Sequence, residues 1–184
     1  METGRVEYRA LAPGGDVEAW IQEFLQFEAE SWKGYAGQAL ACHENDRAYF
    51  ETVARAAFQR QLLMMLALDF NGRPIAHKCN FLTQPGSFAF KIAFDEAFGK
   101  YSPGVLLELE NIRRLHARPE LDWMDSCASP DRLMINQLWP ERRTIQSMLV
   151  GIGNRGELIL AALPLLHWAQ RRWQQRVPGQ SSSE

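Results

Sequence analysis

The spacing of hydrophobic residues predicts helices in the first third of the chain. A short alternating stretch at residues 6–11 (VEYRAL) predicts a strand. Apolar residues then recur at helical spacing after Asp16, a favoured helix N-cap residue, and again over residues 46–60. The intervening segment 31–37 (SWKGYAG) is punctuated by glycine and is predicted to be a loop.

The spacing changes in the middle of the chain, where three antiparallel strands are predicted. QLLMMLALDF is a nearly continuous apolar run, as expected for a central buried strand. Asn71-Gly72 is a strong hairpin signal, and the alternating SFAFKIAF follows a second turn at Pro85-Gly86. The predicted strands are residues 61–70, 73–82 and 87–94.

In the second half, helical spacing alternates with short strand patterns. The pattern predicts helices over 103–117, 131–139 and 155–176, and strands over 121–126 and 142–152. The apolar side of the last helix carries Leu158, Ile159, Ala162, Leu165, Leu166, Ala169 and Trp173. This order predicts a mixed α/β layer fold with a mostly antiparallel central sheet, a single domain over residues 1–177 and a disordered tail at 178–184.

Composition indicates a globular chain without a strongly basic surface. Hydrophobic residues make up 46% of the 184 residues, and six Trp and ten Phe supply bulk for a core. The net charge of −2 argues against nucleic acid as an obligate partner. Arg171, Arg172 and Arg176 could still form a local basic patch.

Neither a membrane segment nor a metal site is predicted. METGRVEYRA lacks the apolar stretch of a signal peptide, and the longest apolar run, residues 158–166, is shorter than the roughly 20 residues that span a bilayer. Cys42, Cys79 and Cys127 show no metal-binding or redox spacing, and the four histidines are far apart. We expect a soluble cytoplasmic protein with reduced thiols, no metal ion, and Cys127 as a small buried residue.

The junction at residues 100–106 (KYSPGVL) has the features of an anion-binding helix start. Ser102 is a favoured N-cap residue, and Pro103 suits the first helical position because an N–H there would lack a partner. Gly104 has no side chain, so another group could approach the backbone. The free N–H groups and the helix dipole would then suit a phosphate or pyrophosphate. The alternative is an ordinary helix start that binds nothing.

Several segments resemble the GNAT acyltransferases, in particular the FemAB-like branch with the CelD-type acetyltransferase domain associated with polysaccharide biosynthesis. The resemblance covers roughly residues 17–150, and FDEAFGKYSPGVLLELENI (94–112) is its most specific part. The other segments are ESWKG (30–34), GRPIA (72–76) and a strand ending at Asp125 that is followed by Trp139, Arg142 and Arg143.

The resemblance implies a sheet that splits partway, with acyl-CoA in the split, and acyl transfer from the thioester to an amine. Its implied cofactor-binding residues are Lys100, Tyr101, Ser102, Pro103, Gly104, Val105 and Leu106. Tyr-Ser-Pro-Gly stands where GNAT enzymes carry a Gln/Arg-x-x-Gly-x-Gly/Ala loop. Proteins of this branch often contain two GNAT halves, so a homodimer or a second GNAT-like subunit is a possible partner.

The candidate catalytic residues are Asp125 and Tyr101. Asp125 lies at a predicted strand end and could act as general base towards the amine, or could cap the following turn. Tyr101 could protonate the leaving thiolate, stack on the pantetheine, or simply pack as a half-buried residue. A backbone N–H of the split strand can stabilise the oxyanion.

The candidate substrate-binding residues are Trp32, Lys33 and Glu28, around a loop that the resembling branch reuses. Trp32 and Lys33 could contact the acceptor. Glu28 could face the acceptor or be a solvated surface charge. Arg142 and Arg143 could pair with a phosphate or a substrate carboxylate, or be charges at a strand edge.

Four functions stay open at this point. The first is an acyl-CoA-dependent N-acyltransferase acting on a small amine, amino acid or amino sugar. The second is a degenerate GNAT domain that serves as a binding or assembly module in a polysaccharide or cell-envelope pathway, which the sparse glycines of the junction favour. The third is aminoacyl transfer from tRNA, which the near-neutral charge disfavours. The fourth is an acyl-carrier-protein donor.

Overall fold

The computed structural model of the protein describes residues 4–129, 133–142, 144–146 and 148–174. The chain divides into two compact units, Met1–Pro140 and Glu141–Glu184. The first unit contains the whole sheet, and the second contains a single long helix. The sequence analysis predicts one domain over residues 1–177, and that boundary stays a prediction.

A five-stranded sheet in the order β1-β2-β3-β4-β5 forms the first unit. Strands β1 to β4 run antiparallel, and β5 pairs parallel to β4. The mixed α/β fold with a mostly antiparallel sheet is therefore confirmed. The strands are β1 Val6–Ala10, β2 Leu63–Phe70, β3 Arg73–Thr83, β4 Gly86–Phe94 and β5 Trp123–Asp125.

Helices flank this sheet in the first unit, and their bounds agree closely with the apolar spacing. Asp16 caps the first helix as predicted, because its carboxylate accepts a hydrogen bond from the backbone N–H of Ala19. The helices are α1 Val17–Glu30, α2 Trp32–Tyr35, α3 Glu44–Gln59, α4 Pro103–His116, α5 Leu133–Leu138 and, in the second unit, α6 Gly153–Gln174. Two 3₁₀ turns occupy Leu40–Cys42 and Glu96–Tyr101.

The sheet has a hydrophobic core on each face, which explains the unbroken apolar run of β2. Met65 packs in the cluster with Phe24 and Phe50 of α1 and α3. Leu66, the next residue of the strand, packs in the cluster with Leu107 of α4. Successive side chains of a strand point to opposite faces, so a strand buried on both faces needs apolar residues throughout.

The predicted turn at Asn71-Gly72 joins β2 to β3 and has the backbone that this dipeptide favours. The φ angles of Asn71 and Gly72 are 53° and 76°. Positive φ at both central residues defines the type I′ turn, whose twist matches that of the flanking strands. This hairpin is confirmed as the sequence predicts it.

Two predictions for secondary structure are wrong. Residues 32–35 form the short helix α2 rather than a loop, because the Ser31 hydroxyl accepts a hydrogen bond from the Lys33 N–H and begins a helical turn. The pattern of residues 142–152 predicts a strand, but the described residues of that segment pair with no strand. Alternation alone does not make a strand without a neighbour that accepts its hydrogen bonds.

Helix α6 is present where the sequence predicts it and begins two residues earlier; the predicted end at 176 lies outside the described residues. Leu158, Ile159 and Leu165 from its predicted apolar side are largely exposed. The structure does not describe the side chains of Arg171 and Trp173. The residues from 175 onwards, which include the predicted tail, lie outside the described residues. Within the described ranges, none of the helices combines the length and the hydrophobicity that crossing a bilayer requires.

Candidate functional site

Strands β4 and β5 separate soon after they pair, which leaves one edge of β4 open. Only three positions pair, and the last of them is Phe88 with Asp125. Strand β4 continues for six more residues to Phe94, and in the described part of the chain no strand pairs with its outer side there. We call residues 89–94 of this side the open edge of β4.

A β-bulge bends β4 where the strands part. In the pairing with β3, Ala89 faces Asn80 and Lys91 faces Cys79, so Phe90 is an extra residue without a partner. A bulge of this kind increases the local twist and bends the strand. The bulge therefore lies where β4 stops pairing with β5.

The backbone groups of the open edge can be assigned from the antiparallel pairing. The Asp95 N–H donates to the Ile75 carbonyl of β3 at 3.0 Å. Ile92, three residues before Asp95, is paired with Lys78 of β3. Paired residues in an antiparallel ladder alternate between facing the partner and facing away. The N–H and C=O groups of Ile92 and Phe94 therefore point to the open edge.

A buried carboxylate with two lysines lies beside this edge. Glu28 of α1 is fully buried, and its Oε1 lies 2.8 Å from Lys91 Nζ and 3.7 Å from Lys33 Nζ. Its Oε2 accepts a hydrogen bond from the Leu40 N–H at 2.9 Å. Lys33 Nζ in turn donates to the Ile92 carbonyl at 2.6 Å. A lysine ammonium thus lies on the open edge itself.

This cluster revises the interpretation of Glu28 as a solvated surface charge. A fully buried carboxylate is costly unless it is paired, and here two ammonium groups and a backbone N–H compensate it. Lys33 is only 18% exposed. Of the three predicted substrate-binding residues, Glu28 and Lys33 are therefore in contact beside the open edge.

Trp32 and Tyr101 lie on the more exposed side of this region. The Trp32 N–H donates to Glu96 Oε1 at 3.1 Å, which connects α2 to the 3₁₀ turn before α4. The Trp32 and Tyr101 side chains are 42% and 53% exposed. Lys100 Nζ lies 4.7 Å from the centre of the Tyr101 ring, a cation–π contact.

The helix start at Ser102 differs from the predicted cap. Ser102 is the N-cap residue, but its backbone is left-handed (φ 52°, ψ 52°) and its hydroxyl makes no capping hydrogen bond. Its carbonyl accepts hydrogen bonds from the N–H groups of Val105 and Leu106 at 2.9 and 3.1 Å. Pro103 has no N–H, so Gly104 offers the remaining donor of the first turn.

The reason for glycine at position 104 also differs from the predicted one. A Cβ atom at Gly104 would lie 3.3 Å from Cδ1 of Phe94, which is tighter than ordinary van der Waals contact. The missing side chain faces β4 and not an open space for a ligand. Gly104 therefore allows α4 to pack closely on the sheet.

Asp125 ends β5 and caps the turn that follows. Its Oδ1 accepts a hydrogen bond from the Cys127 N–H at 2.8 Å, which is the capping alternative from the sequence. Cys127 is exposed, so its prediction as a buried residue is wrong. Although the residue is exposed, neighbouring atoms remove part of the hydration of its thiol, and this desolvation together with the Asp125 carboxylate raises the pKa of Cys127.

Sequence reasoning missed Lys91 and the Ile92 carbonyl, because a β-bulge leaves no local signature in SFAFKIAF. Arg142 is exposed and donates to the Glu141 carbonyl, and Arg143 lies outside the described residues. Nowhere in the described ranges do three or more His, Cys, Asp or Glu side chains gather as they would around a metal ion.

A family model described as an acetyltransferase (GNAT) domain matches residues 2–132, which is most of the 184-residue chain and includes the whole sheet. The chain belongs to the GNAT acetyltransferase family. It is therefore an acyltransferase, as the resemblance of the 94–112 block predicts. A comparison with curated protein sequences gave no match.

Solved structures with this fold include other GNAT enzymes. The aminoglycoside N-acetyltransferase AAC(6')-Iy in complex with CoA has a TM-score of 0.55 at 12% identity, covering 83% of this chain and 97% of that one. A predicted acetyltransferase with acetyl-CoA from Clostridium acetobutylicum has a TM-score of 0.55 at 12% identity, covering 79% and 96%. The ribosomal-protein-alanine N-acetyltransferase from Brucella melitensis biovar Abortus 2308 has a TM-score of 0.52 at 14% identity, covering 81% and 100%. At these identities the likeness shows the GNAT fold alone.

Proposed function

We propose that this GNAT domain transfers an acyl group from acyl-CoA to the amine of a small acceptor such as an amino sugar or an amino acid. The observation that carries the proposal is the open edge of β4, which leads directly into the 3₁₀ turn and the start of α4. An extended donor can add to an open strand edge through backbone hydrogen bonds. Its phosphates would then lie at a helix N-terminus.

The donor would be held at both ends of this path. We assign its pyrophosphate to residues 100–106, where the Gly104 N–H and the Lys100 ammonium can meet negative charge. The pantetheine arm would run along the open edge and bond the backbone groups of Ile92 and Phe94. The thioester would then lie near the bulge at Phe90.

The chemistry needs little covalent participation from the protein. The neutral amine attacks the thioester carbonyl, the C–S bond breaks, and CoA leaves as a thiol after gaining a proton. We assign the general base to Asp125 and the proton donor to Tyr101, with a backbone N–H of the open edge at the oxyanion. Trp32, Lys33 and Glu28 would border the acceptor.

A charge at Gly99 tests the donor site without disturbing the packing of α4. A Cβ atom at Gly99 would meet no other atom within 4 Å, whereas Gly104→Glu would push against Phe94. Gly99→Asp and Gly99→Asn have side chains of the same shape and differ in charge. We expect Gly99→Asp to weaken CoA binding about tenfold relative to Gly99→Asn, as measured by calorimetry. Equal affinities, or no CoA binding to the wild type, would contradict the donor site.

A second candidate function is a degenerate GNAT domain that acts as a binding or assembly module. The first turn of α4 favours it, because Pro103 has no N–H and the Val105 N–H already donates to the Ser102 carbonyl. Millimolar CoA that fails to raise the melting temperature would support this function.

Several further predictions from the sequence stay predictions. They are the FemAB-like subtype, a cytoplasmic location, a homodimer, the absence of a metal, and acyl-carrier-protein or aminoacyl-tRNA donors. Net charge −2 disfavours the tRNA donor.

A further inference from the structure

Lys33 places a primary amine where the proposed donor would lie. Its Nζ donates to the Ile92 carbonyl at 2.6 Å, and that carbonyl points to the open edge of β4. Ile92 is two residues beyond the bulged Phe90, so the distance along the strand is about 7 Å. A lysine side chain with four rotatable bonds can cover much of that distance.

The surroundings of Lys33 limit the access of water and offer a proton acceptor. Its side chain is 18% exposed, and the Glu28 carboxylate 3.7 Å from Nζ is fully buried. Glu28 keeps its hydrogen bonds from Lys91 and from the Leu40 N–H when Lys33 moves. The cluster can therefore remain compensated while Lys33 changes partner.

We propose that Lys33 is itself acylated by the donor bound along the open edge, a self-modification that rests on the proposed function. The Lys33 ammonium first releases a proton to Glu28 or to solvent. The neutral Nζ then attacks the thioester carbonyl, an N–C bond forms, the C–S bond breaks, and CoA leaves as a thiol. The product is a stable amide and not a catalytic intermediate.

Acylation would change the site in a defined way. The amide nitrogen keeps one N–H and can still donate to Ile92, but the positive charge beside Glu28 is lost. The acyl group would then remain on the open edge, where it competes with a new donor. Self-acylation therefore predicts a slow decline of donor binding during incubation with acyl-CoA.

The scarcity of lysine makes the modification easy to locate. The chain has four lysines, Lys33, Lys78, Lys91 and Lys100. Lys78 is buried with its Nζ 2.7 Å from Glu108 on the α4 face of the sheet, and Lys91 is held between Glu28 and the Gln38 carbonyl. Lys100 is exposed but belongs to the proposed pyrophosphate site, so Lys33 of the urea-unfolded chain serves as the reference for unselective chemical acetylation.

The experiment incubates the full chain with millimolar acetyl-CoA and follows acetylation by intact mass and peptide mapping. We expect Lys33 of the folded chain to be acetylated about tenfold faster than Lys33 of the urea-unfolded chain, because the bound thioester is held next to it. Excess CoA should suppress the reaction, and acetyl phosphate, which lacks the CoA portion, should remove the preference for Lys33. In Lys33→Arg the rapid mass increase should disappear.

Calorimetry with CoA on the same sample distinguishes a failure of self-acylation at Lys33 from a failure of the proposed function. Binding of CoA without acetylation of Lys33, or with equal rates at Lys33 in the folded and the urea-unfolded chain, would overturn self-acylation and leave the proposed function standing. Preferential modification of Lys91 would also overturn it. No binding of CoA would overturn both. The peptide map of the wild type decides the question even if Lys33→Arg does not fold.

Discussion

The Asp125 carboxylate caps the turn after β5 and is also the proposed general base. The hydrogen bond from the Cys127 N–H establishes it as a cap, and its pairing with Phe88 places its backbone where β4 and β5 part, which is why we propose it as the base. Cys127 itself has a left-handed backbone, with φ of 50°, which the cap helps to hold. Substitutions at Asp125 can separate the two roles.

We expect Asp125→Asn and Asp125→Ala to differ in stability but to agree in their effect on Cys127. Asparagine keeps an acceptor for the Cys127 N–H, whereas alanine loses it at a cost of about 1 kcal/mol in the free energy of unfolding. Both remove a negative charge that raises the pKa of the Cys127 thiol, so more thiolate forms and alkylation becomes faster. Urea unfolding and mass mapping of iodoacetamide labelling measure the two effects.

The exposed Cys42 of the same sample is the reference for the labelling rate. An unchanged Cys127 rate in both variants would show that the carboxylate does not act on the thiol. Once an acceptor amine is known, Asp125→Asn should lower kcat about a hundredfold if Asp125 is the base. A kcat equal to that of the wild type would leave only the cap.

At this scale the sequence predicts some residues well and others only in part. Asp16 behaves as its position predicts, because N-capping depends on a few neighbouring atoms. Ser102 occupies the predicted cap position without making the bond, since the preceding 3₁₀ turn sets its backbone to the left-handed region. The burial of Glu28 depends on Lys91, which is 63 residues away.

Among the elements, α4 is held on the sheet by a buried polar network as well as by leucines. Lys78 Nζ of β3 lies 2.7 Å from Glu108 Oε2, and both side chains are almost fully buried. Asn111 donates to Glu108 Oε1 at 3.0 Å and accepts from Asn80 of β3 at 2.8 Å. Since α4 begins at the proposed pyrophosphate site, this network fixes the element that would carry it.

We expect Lys78→Met to lower the free energy of unfolding by about 3–5 kcal/mol, because it leaves the Glu108 carboxylate buried without its cation. The double variant Lys78→Met/Glu108→Leu should lose less than the single one, since two apolar side chains need no compensation. Urea unfolding measures both. Arg113→Met is the control on the same helix, because the Arg113 side chain is 69% exposed and Glu110 keeps its ion pair with Arg114, so the loss should be small.

A double variant that loses as much as Lys78→Met alone would show that the loss does not come from leaving Glu108 without its cation. Equal effects of Lys78→Met and Arg113→Met would show that burial of the pair is unimportant. Either result would leave the leucines alone to hold α4. The position of α4 over the end of β4 would then follow from apolar packing.

The elements themselves were largely predictable, but their pairing was not. Apolar run length and turn residues located β2, β3, β4 and α4 within a few residues, because these signals are local. The bulge at Phe90, by contrast, depends on how β4 pairs with β3, so the open edge could be expected only from the family resemblance. The strand pattern at 142–152 shows the reverse case, a local signal without a pairing partner in the described residues.

For the whole molecule, an ion cluster joins the first strand and first helix to the rest of the sheet. Arg9 of β1 donates to Asp69 of β2 at 2.6 Å and to Glu23 of α1 at 2.6 Å. Glu23 Oε1 also lies 3.4 Å from Nε2 of the buried His77. The His77 and Arg9 contacts, opposed by burial, lower the pKa of Glu23 from 4.5 to about 2.

Stability should therefore depend on Glu23 in acid. The pKa of Glu23 is lower in the folded than in the unfolded state, so between 4.5 and about 2 the unfolded state binds more protons. Its contribution is fully present above pH 4.5 and is lost as the pH falls towards 2. We expect Glu23→Gln to cost about 1 kcal/mol at neutral pH and less in acid, as measured by urea unfolding. A constant difference across that range would contradict the assignment.

The division into two units leads to a prediction for the molecule as a whole. Both hydrophobic clusters are built from residues between Ala10 and Met124, and the family model ends at residue 132. In the second unit, by contrast, Ile145, Met148 and Ile152 are largely exposed. Removing residues 141–184 therefore removes no side chain of either cluster, but does remove exposed apolar surface that favours association.

We expect the chain ending at Pro140 to unfold cooperatively, with a melting temperature close to that of the full chain, and to bind CoA with the same affinity. Calorimetry, light scattering and CoA titration of the two forms side by side test this. Failure of the shorter chain to fold would support the single domain over residues 1–177 that the sequence predicts, because the long helix α6 would then be needed to complete the core. A shorter chain that folds but no longer binds CoA would place part of the donor site beyond residue 140. A full chain that elutes as a dimer and a shorter chain that elutes as a monomer would assign the proposed homodimer contact to the second unit.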